Sequence, residues 1–207
     1  MGVLENKARA RLFYKYLSKV YDTINPFIWN DEMRDEALEL LDIQPDDQVL
    51  DVGCGTGFAT QGLLQYTENV HGLDQSIHQM QKAFKKFGKN DQVRFYRGDA
   101  ERLPFKDNSF DVIWSSGSIE YWPSPVDALV EFRRVVKPGH NVLVVGPDYP
   151  RTTAMQKVAD SIMLFYDAEE ADRMFEEAGF VDIEHHIQQA YPGSPKAITT
   201  IARAPDE

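Results

Sequence analysis

Short runs of apolar residues, each four to nine residues long, alternate along the chain with segments of helical character. Runs of this length, bounded by polar or glycine-containing segments, are typical of buried strands. Strands that alternate with helices favour an α/β fold in which a mostly parallel sheet is covered by helices on both faces, a doubly wound sheet. The predicted strands are 49–52, 69–73, 93–98, 110–115, 141–146, 180–188 and 196–203.

The helices between these strands have recognisable start and stop signals. Ser76, followed three residues later by Gln79, is a capping-box pattern and predicts a helix over Ile77–Phe87. Proline in a first helical turn and glycine after a last turn give similar signals elsewhere. The other predicted helices are 31–41, 58–66, one that starts at Ser124-Pro125 and stops at Lys137-Pro138-Gly139, and one bracketed by Asp167, Glu170 and Gly179.

The first twenty residues have a different character. Apolar residues recur there every four positions, which predicts an amphipathic helix. Its polar face is basic, so the helix is either a lid packed on the fold with its charges in water, or a segment that lies on an anionic membrane surface. We therefore predict an N-terminal helical cap over 1–42 and a second domain over 43–207. The apolar positions are Leu4, Ala8, Leu12, Tyr16 and Val20, and the cations are Lys7, Arg9, Arg11, Lys15 and Lys19.

Composition narrows the class of protein. The chain has 207 residues, of which 43% are hydrophobic, so it can bury a substantial core. A formal charge of −11 argues against nucleic acid as a partner, because that binding depends on Lys and Arg neutralising phosphates. The single cysteine, Cys54, excludes an internal disulfide, and no Cys/His spacing indicates a metal site. Without a long apolar run or a signal core, we expect a cytoplasmic protein, with peripheral membrane contact left open.

The run Val49–Val52 leads directly into glycines at 53, 55 and 57. Glycine has no Cβ, so this backbone can turn sharply and approach a ligand closely. A dinucleotide-binding fingerprint requires its third glycine where this chain has Phe58, which weakens that reading. Asp74 and Asp99 end the next two apolar runs, at the edge of the sheet where α/β proteins bind ligands.

The ordered set of Asp-x-Gly-x-Gly-x-Gly, an acid after the second strand, and Gly98-Asp99-Ala100 resembles class I methyltransferases that use S-adenosylmethionine. The resemblance implies that cofactor and a Rossmann-like fold. It implies that Asp51 reaches the methionine amino group, directly or through water, that Asp74 holds the ribose diol, and that Asp99 holds the adenine amino group. The cofactor-binding residues so implied are Asp51, Gly53, Gly55, Gly57, Asp74, Gln75, Asp99 and Ala100.

A narrower resemblance covers about residues 13 to 180. Its most specific piece is Gly117-Ser118-Ile119-Glu120-Tyr121-Trp122-Pro123, supported by Tyr21-Asp22 and Gly146-Pro147. These segments are similar to the plant-type methyltransferases that C-methylate 2-methyl-6-phytyl- and 2-methyl-6-solanesyl-benzoquinol. The resemblance implies a small aromatic acceptor, most specifically a prenylated benzoquinol or naphthoquinol. Methylation of another small molecule on oxygen or nitrogen, or cofactor binding without turnover, remain the alternatives.

Ring methylation of a quinol is helped by a base, because a ring carbon becomes nucleophilic when the neighbouring hydroxyl loses its proton. A phenol has a pKa near 10. A positioned base therefore accelerates the reaction by roughly 10²–10⁴-fold. The catalytic candidates are Glu120, His78 and Tyr149. For Glu120 the structural alternative is an exposed carboxylate, and for His78 it is a solvent-facing helix residue. The substrate-binding candidates, which would form the wall around the ring, are Tyr14, Tyr21, Tyr121 and Trp122.

Overall fold

The computed structural model describes residues 29–149 and 166–207. In these residues seven strands form one sheet in the order β3-β2-β1-β4-β5-β7-β6. The first five strands run parallel, whereas β7 is antiparallel to both β5 and β6. The predicted doubly wound, mostly parallel α/β sheet is thus confirmed. The strands are β1 Gln48–Val52, β2 Asn69–Asp74, β3 Val93–Arg97, β4 Phe110–Ser116, β5 Val136–Pro147, β6 Val181–Gln189 and β7 Lys196–Arg203.

Helices cover both faces of this sheet. Two of the predicted side-chain caps are present, since the Ser76 hydroxyl accepts from the Gln79 N–H, and Asp167 and Glu170 form a reciprocal capping box. The predicted bounds of the helix Ile77–Phe87 are confirmed. The helices are α1 Asp31–Glu39, α2 Phe58–Leu63, α3 Ile77–Phe87, α4 Pro125–Val135 and α5 Ala168–Glu177, with a 3₁₀ turn at Ile119–Tyr121.

The predicted start of the fifth strand is wrong. Lys137-Pro138-Gly139 does follow the end of α4, but these residues already belong to β5, which begins at Val136 and not at Asn141. The cause is an irregularity in the pairing with β4, where Phe110 is opposite Val136 and Val112 is opposite Asn141. The extra residues form a bulge in β5, and Gly139 adopts the positive φ of +74° that such a bend requires.

The core has two layers, one on each face of the sheet. Because side chains alternate along a strand, Val49 packs on the face covered by α1 and α2, whereas Leu50 packs on the face covered by α4 and α5. Helix α1 contributes Met33 and Leu38 to the first layer, together with Trp114 of β4. The end of the predicted 1–42 cap thus shares a core with the sheet, while the domain boundary itself stays a prediction.

The rest of the predicted cap, including the basic segment and the helical lid, lies outside the described residues. Within 29–149 and 166–207, none of the helices has the length and apolar character needed to cross a membrane.

The strand order places a ligand-binding crevice at the end of β1. The chain moves from β1 to β2 on one side and continues through β4 on the other, so β1 and β4 flank the switch point of the sheet. Two hydroxyls join the ends of these strands: Ser115 donates to the Val52 carbonyl at 2.9 Å, and its oxygen lies 2.8 Å from the Ser118 hydroxyl oxygen. The loops after β1 and β4 are therefore held as one unit.

Gly53 packs against Ser118 of the loop after β4. A Cβ placed on Gly53 would lie 2.5 Å from the Ser118 Cβ and 2.6 Å from its hydroxyl oxygen. Gly53 also has a φ of +74°, which L side chains rarely adopt. Glycine is required here both by the backbone conformation and by the contact.

Substituting Gly53 by alanine tests this contact. We expect Gly53→Ala to lower the free energy of unfolding by about 3 kcal/mol, because the clash and the backbone strain add. Gly55→Ala is the matched control: its φ is also positive, at +54°, but its Cβ would meet only the Gly53 carbonyl oxygen, at 3.8 Å. That variant should lose about 1 kcal/mol.

Urea denaturation of both variants gives the comparison. Adding Ser118→Gly to Gly53→Ala should restore part of the loss, because it removes the clashing atoms. Equal losses in the two alanine variants would show that only the backbone conformation matters at Gly53.

Candidate active site

The glycine loop after β1 is hydrogen-bonded to the end of β2. The N–H groups of Gly53 and Cys54 both donate to the Leu73 carbonyl, at 2.7 and 3.1 Å, and Gly57 donates back to the Cys54 carbonyl at 2.8 Å. Gly53, Gly55 and Gly57 all have positive φ. Cys54 is buried in this loop and burial raises the pKa of its thiol, so it is a packing residue and not a nucleophile.

Asp74 is tied to the loop by its carboxylate. One carboxylate oxygen accepts the Gly55 N–H at 2.9 Å and the other accepts the Ser76 N–H at 2.7 Å. Burial raises the pKa of Asp74, although these two bonds act in the opposite direction. Each oxygen keeps a further lone pair, so the carboxylate can also accept hydrogen bonds from a diol.

Asp51 lies deeper than the rest of the site. Its side chain is 1% exposed, and its carboxylate accepts a hydrogen bond from the Thr60 hydroxyl at 2.7 Å. Burial raises the pKa of Asp51 to about 7, and the nearby charge of Asp74 adds to this effect. A cationic group bound near Asp51 would favour its ionised form. Contact with a cofactor amino group stays a prediction.

Gln75, Asp99 and Ala100 lie at the ends of the neighbouring strands β2 and β3. Asp99 is half-buried and accepts the Glu101 N–H at 3.1 Å, which fixes the turn after β3. Ala100 is buried, whereas the Gln75 side chain is exposed and its carbonyl accepts from the Arg97 guanidinium at 3.3 Å. The structure thus brings the predicted cofactor residues to one edge of the sheet.

These residues fit the predicted cofactor, S-adenosylmethionine. The position of a Cβ on Gly55 is open space among the described atoms apart from one contact at 3.8 Å, so a ligand can approach the backbone there. Asp74 supplies acceptors for a ribose diol, and Asp99 is a further acceptor one strand away. In the described part of the chain, no group of His, Cys, Asp and Glu side chains could hold a metal ion.

Glu120 is the most unusual carboxyl group in the described residues. It lies in the 3₁₀ turn that follows β4 and is 6% exposed, so the alternative of an exposed carboxylate is wrong. Burial raises its pKa to about 8, against only one opposing hydrogen bond. Its Oε2 atom is buried without a hydrogen-bond partner. A group of this kind is poised to exchange a proton near neutral pH.

Three other residues predicted to act in catalysis or to bind the substrate lie at the same edge of the sheet as Glu120. Tyr121 is buried and Trp122 is half-buried, with its ring packed edge-on against Phe132 at 5.4 Å between centroids. Tyr149 is half-buried two residues beyond the end of β5, the strand next to β4. These three residues and Glu120 therefore share one region of the sheet edge.

His78 does not join this region. His78 is exposed on α3, after β2, and no described contact connects it to Glu120. It matches the alternative of a solvent-facing helix residue. Tyr14 and Tyr21 lie outside the described residues, so their predicted contact with the acceptor stays a prediction.

Three further residues contribute to the site without having been predicted. Thr60 binds Asp51, Ser118 packs against Gly53, and Tyr166 is fully buried beside the end of β5. Tyr166 precedes the helix cap Asp167, a position where the sequence pattern suggests only a packing residue. Its Oη atom is buried and has no hydrogen-bond partner among the described residues.

Comparison with known proteins gives one domain match. Residues 50–144 match the family described as methyltransferase domain. This stretch contains the glycine loop, Asp74, Asp99 and Glu120.

Two relatives are informative. Over 185 residues the chain is 43% identical to 2-methyl-6-phytyl-1,4-hydroquinone methyltransferase 1, chloroplastic, of Oryza sativa subsp. japonica, a match that covers 87% of this chain and 56% of the rice protein. The chain therefore spans little more than half the length of that relative. It is 28% identical over 210 residues to demethylmenaquinone methyltransferase of Staphylococcus aureus strain JH9, with 86% and 87% of the two chains covered.

A solved structure confirms the fold. Phosphoethanolamine N-methyltransferase 2 of Haemonchus contortus, determined with phosphomonomethylethanolamine and S-adenosylhomocysteine, superimposes with a TM-score of 0.72 at 19% identity, covering 86% of this chain and 53% of that one. Residues 50–144 thus match the methyltransferase domain family, in a chain that has the class I methyltransferase fold and is similar to the plant 2-methyl-6-phytyl-1,4-hydroquinone methyltransferases.

Proposed function

We propose that this chain transfers a methyl group from S-adenosylmethionine to a ring carbon of a prenylated quinol. The observation that carries the proposal is the buried carboxyl of Glu120, with its raised pKa. It lies in the turn after β4, the strand next to β1, which leads into the glycine loop. The 43% identity to a phytyl-hydroquinone methyltransferase supports the class of acceptor. Among the described residues, Tyr121 and Trp122 directly follow Glu120 in the chain, the first buried and the second half-buried.

The reaction needs one base and a dry, oriented site. Bound S-adenosylmethionine supplies a methyl group on a positively charged sulfur, which keeps the bonding electron pair and leaves as a neutral thioether. The Glu120 carboxylate takes the hydroxyl proton of the quinol, and an electron pair of the ring carbon then forms the bond to the methyl carbon. The ring carbon loses its hydrogen as a proton to restore the aromatic ring. Glu120 returns its proton to the ring oxygen, so one proton is released per turnover.

Burial gives Glu120 the properties that this role requires. A free carboxylate with a pKa near 4.3 is too weak a base to deprotonate a phenol efficiently. A pKa of about 8 narrows the gap to the phenol. With this pKa, Glu120 is protonated in most enzyme molecules at pH 7. Only a minor fraction of the molecules therefore carries the active carboxylate at that pH.

A naphthoquinol is a second candidate acceptor. The specific observation is the 28% identity to a demethylmenaquinone methyltransferase, whose length this chain matches more fully than that of the plant relative. Both acceptors place a hydroxyl beside the ring carbon that is methylated. They require the same base and differ in the size of the ring.

The direct experiment is a turnover assay with methyl-labelled cofactor. Prenylated benzoquinols and naphthoquinols are offered beside a simple phenol and an amine. Label in a ring carbon of a quinol supports the proposal. Label on oxygen or nitrogen, or tight cofactor binding without any transfer, would contradict it and favour another methyltransferase or a non-catalytic binding protein.

Asp74→Ala tests the cofactor site. Removing a charged acceptor of a diol costs about 1.5–3 kcal/mol, so the dissociation constant for the cofactor should rise at least about tenfold. Asp91→Ala, which removes an exposed carboxylate between α3 and β3, is the matched control and should bind normally. Calorimetric titration measures both, and thermal unfolding shows whether the loop remains folded. An unchanged dissociation constant in Asp74→Ala would remove Asp74 from the site.

Glu120→Gln tests the base. We expect turnover to fall about a hundredfold or more, with cofactor affinity within about twofold of wild type. Wild-type turnover should rise about tenfold from pH 7 to pH 9 as the carboxyl with a pKa of about 8 ionises, and the variant should lose this dependence. Glu68→Gln, at an exposed position, is the control.

The pH dependence of folding stability also reports the pKa of Glu120. The pKa of Glu120 is raised from 4.5 to about 8, so between these values the folded state binds more protons than the unfolded state. The stability associated with the protonated carboxyl is complete below pH 4.5 and is lost as pH rises through 8. Glu120→Gln should therefore gain stability relative to wild type at pH 9. An equal pH dependence in both proteins would contradict the assignment.

We also propose peripheral contact between the basic segment 7–19 and an anionic membrane, where a long-tailed quinol dissolves. The support is the sequence: five cations and no acid in a chain of net charge −11, with each cation contributing about 1 kcal/mol near such a surface. The cytoplasmic location expected from the sequence stays a prediction.

Vesicle sedimentation tests this contact. Full-length protein should bind vesicles rich in phosphatidylserine at low salt and release them as salt rises. Replacing Lys7, Arg9, Arg11, Lys15 and Lys19 by glutamine should abolish binding but leave cofactor affinity unchanged. Failure of the full-length protein to bind at low salt would limit the segment to a lid.

A further inference from the structure

We propose that Tyr166 and Glu120 together form the binding site for the hydroxyl oxygen of the acceptor, with Tyr166 as hydrogen-bond donor and Glu120 as acceptor. This inference rests on the proposed function and assigns a second residue to it. Tyr166 lies 46 positions beyond Glu120 in the sequence and outside the matched domain of residues 50–144.

The fold brings Tyr166 to the end of β5. The backbone of Tyr166 bridges to Asp148, and its carbonyl accepts the Tyr149 N–H at 3.3 Å. Its ring then packs in the core layer that also contains Ile119, the residue before Glu120. Tyr166 is fully buried and Glu120 is 6% exposed, so both side chains lie beneath the surface at the carboxyl edge of the sheet.

Gly146 leaves the space that this arrangement needs. A Cβ on Gly146 would lie 2.7 Å from the Tyr166 Oη atom and 2.6 Å from the Ile119 Cγ2 atom. The phenol oxygen and the turn that carries Glu120 therefore converge on one point beside β5. Any larger residue at 146 would displace one of them.

Both polar groups lack a partner. The Tyr166 Oη atom and the Glu120 Oε2 atom are buried and make no hydrogen bond in the described structure. A buried polar group without a partner costs about 1–3 kcal/mol, and native proteins leave few of them. Two buried polar groups of this kind in one region indicate a polar ligand that forms a hydrogen bond with each.

The two groups differ in what they can offer. Burial, together with the nearby Glu120 charge, raises the pKa of Tyr166 well above its usual range, so its hydroxyl keeps its proton and can donate. Glu120 in its ionised form can only accept. A ligand hydroxyl can pair with both groups, because it donates a hydrogen bond to the carboxylate and accepts one from the phenol. Above its pKa of about 8, Glu120 is mostly ionised. An ether or a ketone cannot donate to this carboxylate, so under these conditions the pair selects the reduced, hydroxyl form of the acceptor.

The role of Tyr166 also follows from charge. When the ligand hydroxyl gives its proton to Glu120, negative charge develops on its oxygen in a site from which water is largely excluded. A donor already aimed at that oxygen stabilises the charge without reorganisation. Tyr166 thereby lowers the pKa of the bound hydroxyl and makes the transfer to Glu120 easier.

Tyr166→Phe is the test, because it removes one oxygen and keeps the ring. The probes are 2-methyl-1,4-benzoquinol and its dimethyl ether, titrated into protein saturated with S-adenosylhomocysteine under reducing conditions at about pH 9, above the pKa of about 8 of Glu120. Wild type should bind the quinol about tenfold more tightly than the ether, and Tyr166→Phe should lose that preference. Tyr96→Phe, which alters a half-buried phenol on β3, is the matched control and should keep it.

Further readouts separate a binding role from a structural one. Tyr166→Phe should keep its cofactor affinity and should not lower the melting temperature, because the hydroxyl that is removed is unpaired. In turnover with a prenylated quinol it should raise KM and move the pH at half-maximal rate upward. Unchanged preference between quinol and ether, with unchanged KM and pH profile, would overturn the inference and leave Tyr166 as a core residue.

The outcomes distinguish this inference from the proposed function. If wild type methylates a quinol and Tyr166→Phe behaves like Tyr96→Phe, the function stands and the Tyr166 site is wrong. If wild type methylates no quinol but prefers the quinol to its ether through Tyr166, the hydroxyl site stands and the proposed reaction is wrong. If wild type shows no preference between the two probes, the site is wrong whatever the enzyme methylates.

Discussion

The close contact between Gly53 and Ser118 is the constraint on which the rest of the site depends. It joins the loop after β1, which carries the glycines predicted to bind the cofactor, to the loop after β4, which carries Glu120. The Ser115 hydroxyl reinforces the same joint through the Val52 carbonyl. Methyl transfer requires the donor and the acceptor to be aligned, and misplacement by about 1 Å can cost a hundredfold in rate. The van der Waals contact between Gly53 and Ser118 fixes the two loops relative to each other, and so provides that alignment before any ligand binds.

Burial then determines the chemistry of the two carboxyl groups near this joint. Asp51 and Glu120 are both almost fully buried, and both have a raised pKa. Asp51 has the Thr60 hydroxyl as a partner, whereas the Oε2 atom of Glu120 has none among the described residues. The first arrangement favours a fixed carboxyl that responds to a bound cation. The second favours a group that exchanges a proton with a bound hydroxyl.

Much of the fold could be predicted from local sequence signals. The bounds of α3 follow from Ser76 and the residues after it, because a helix cap acts within one turn. The start of β5 could not be predicted in the same way, since its bulge depends on how β4 pairs with it. The glycine loop, Asp74 and Asp99 were recognisable because their spacing follows from the strand ends that carry them.

The acceptor side of the site was less predictable, since it depends on contacts between distant parts of the chain. The burial of Glu120 comes from packing around the 3₁₀ turn, which no nearby residue indicates. Ser118, Thr60 and Tyr166 have ordinary side chains whose roles appear only when strands far apart in sequence become neighbours.

The central claim is that Glu120 is a buried carboxyl that titrates near neutral pH. Carbon NMR of protein with labelled glutamate carboxyl groups, assigned with Glu120→Gln, measures that pKa directly. We expect a pKa of about 8 for Glu120 in the free protein. A midpoint near the 4.5 of an ordinary glutamate would contradict it, because Glu120 would then be a solvated carboxylate with no special capacity as a base.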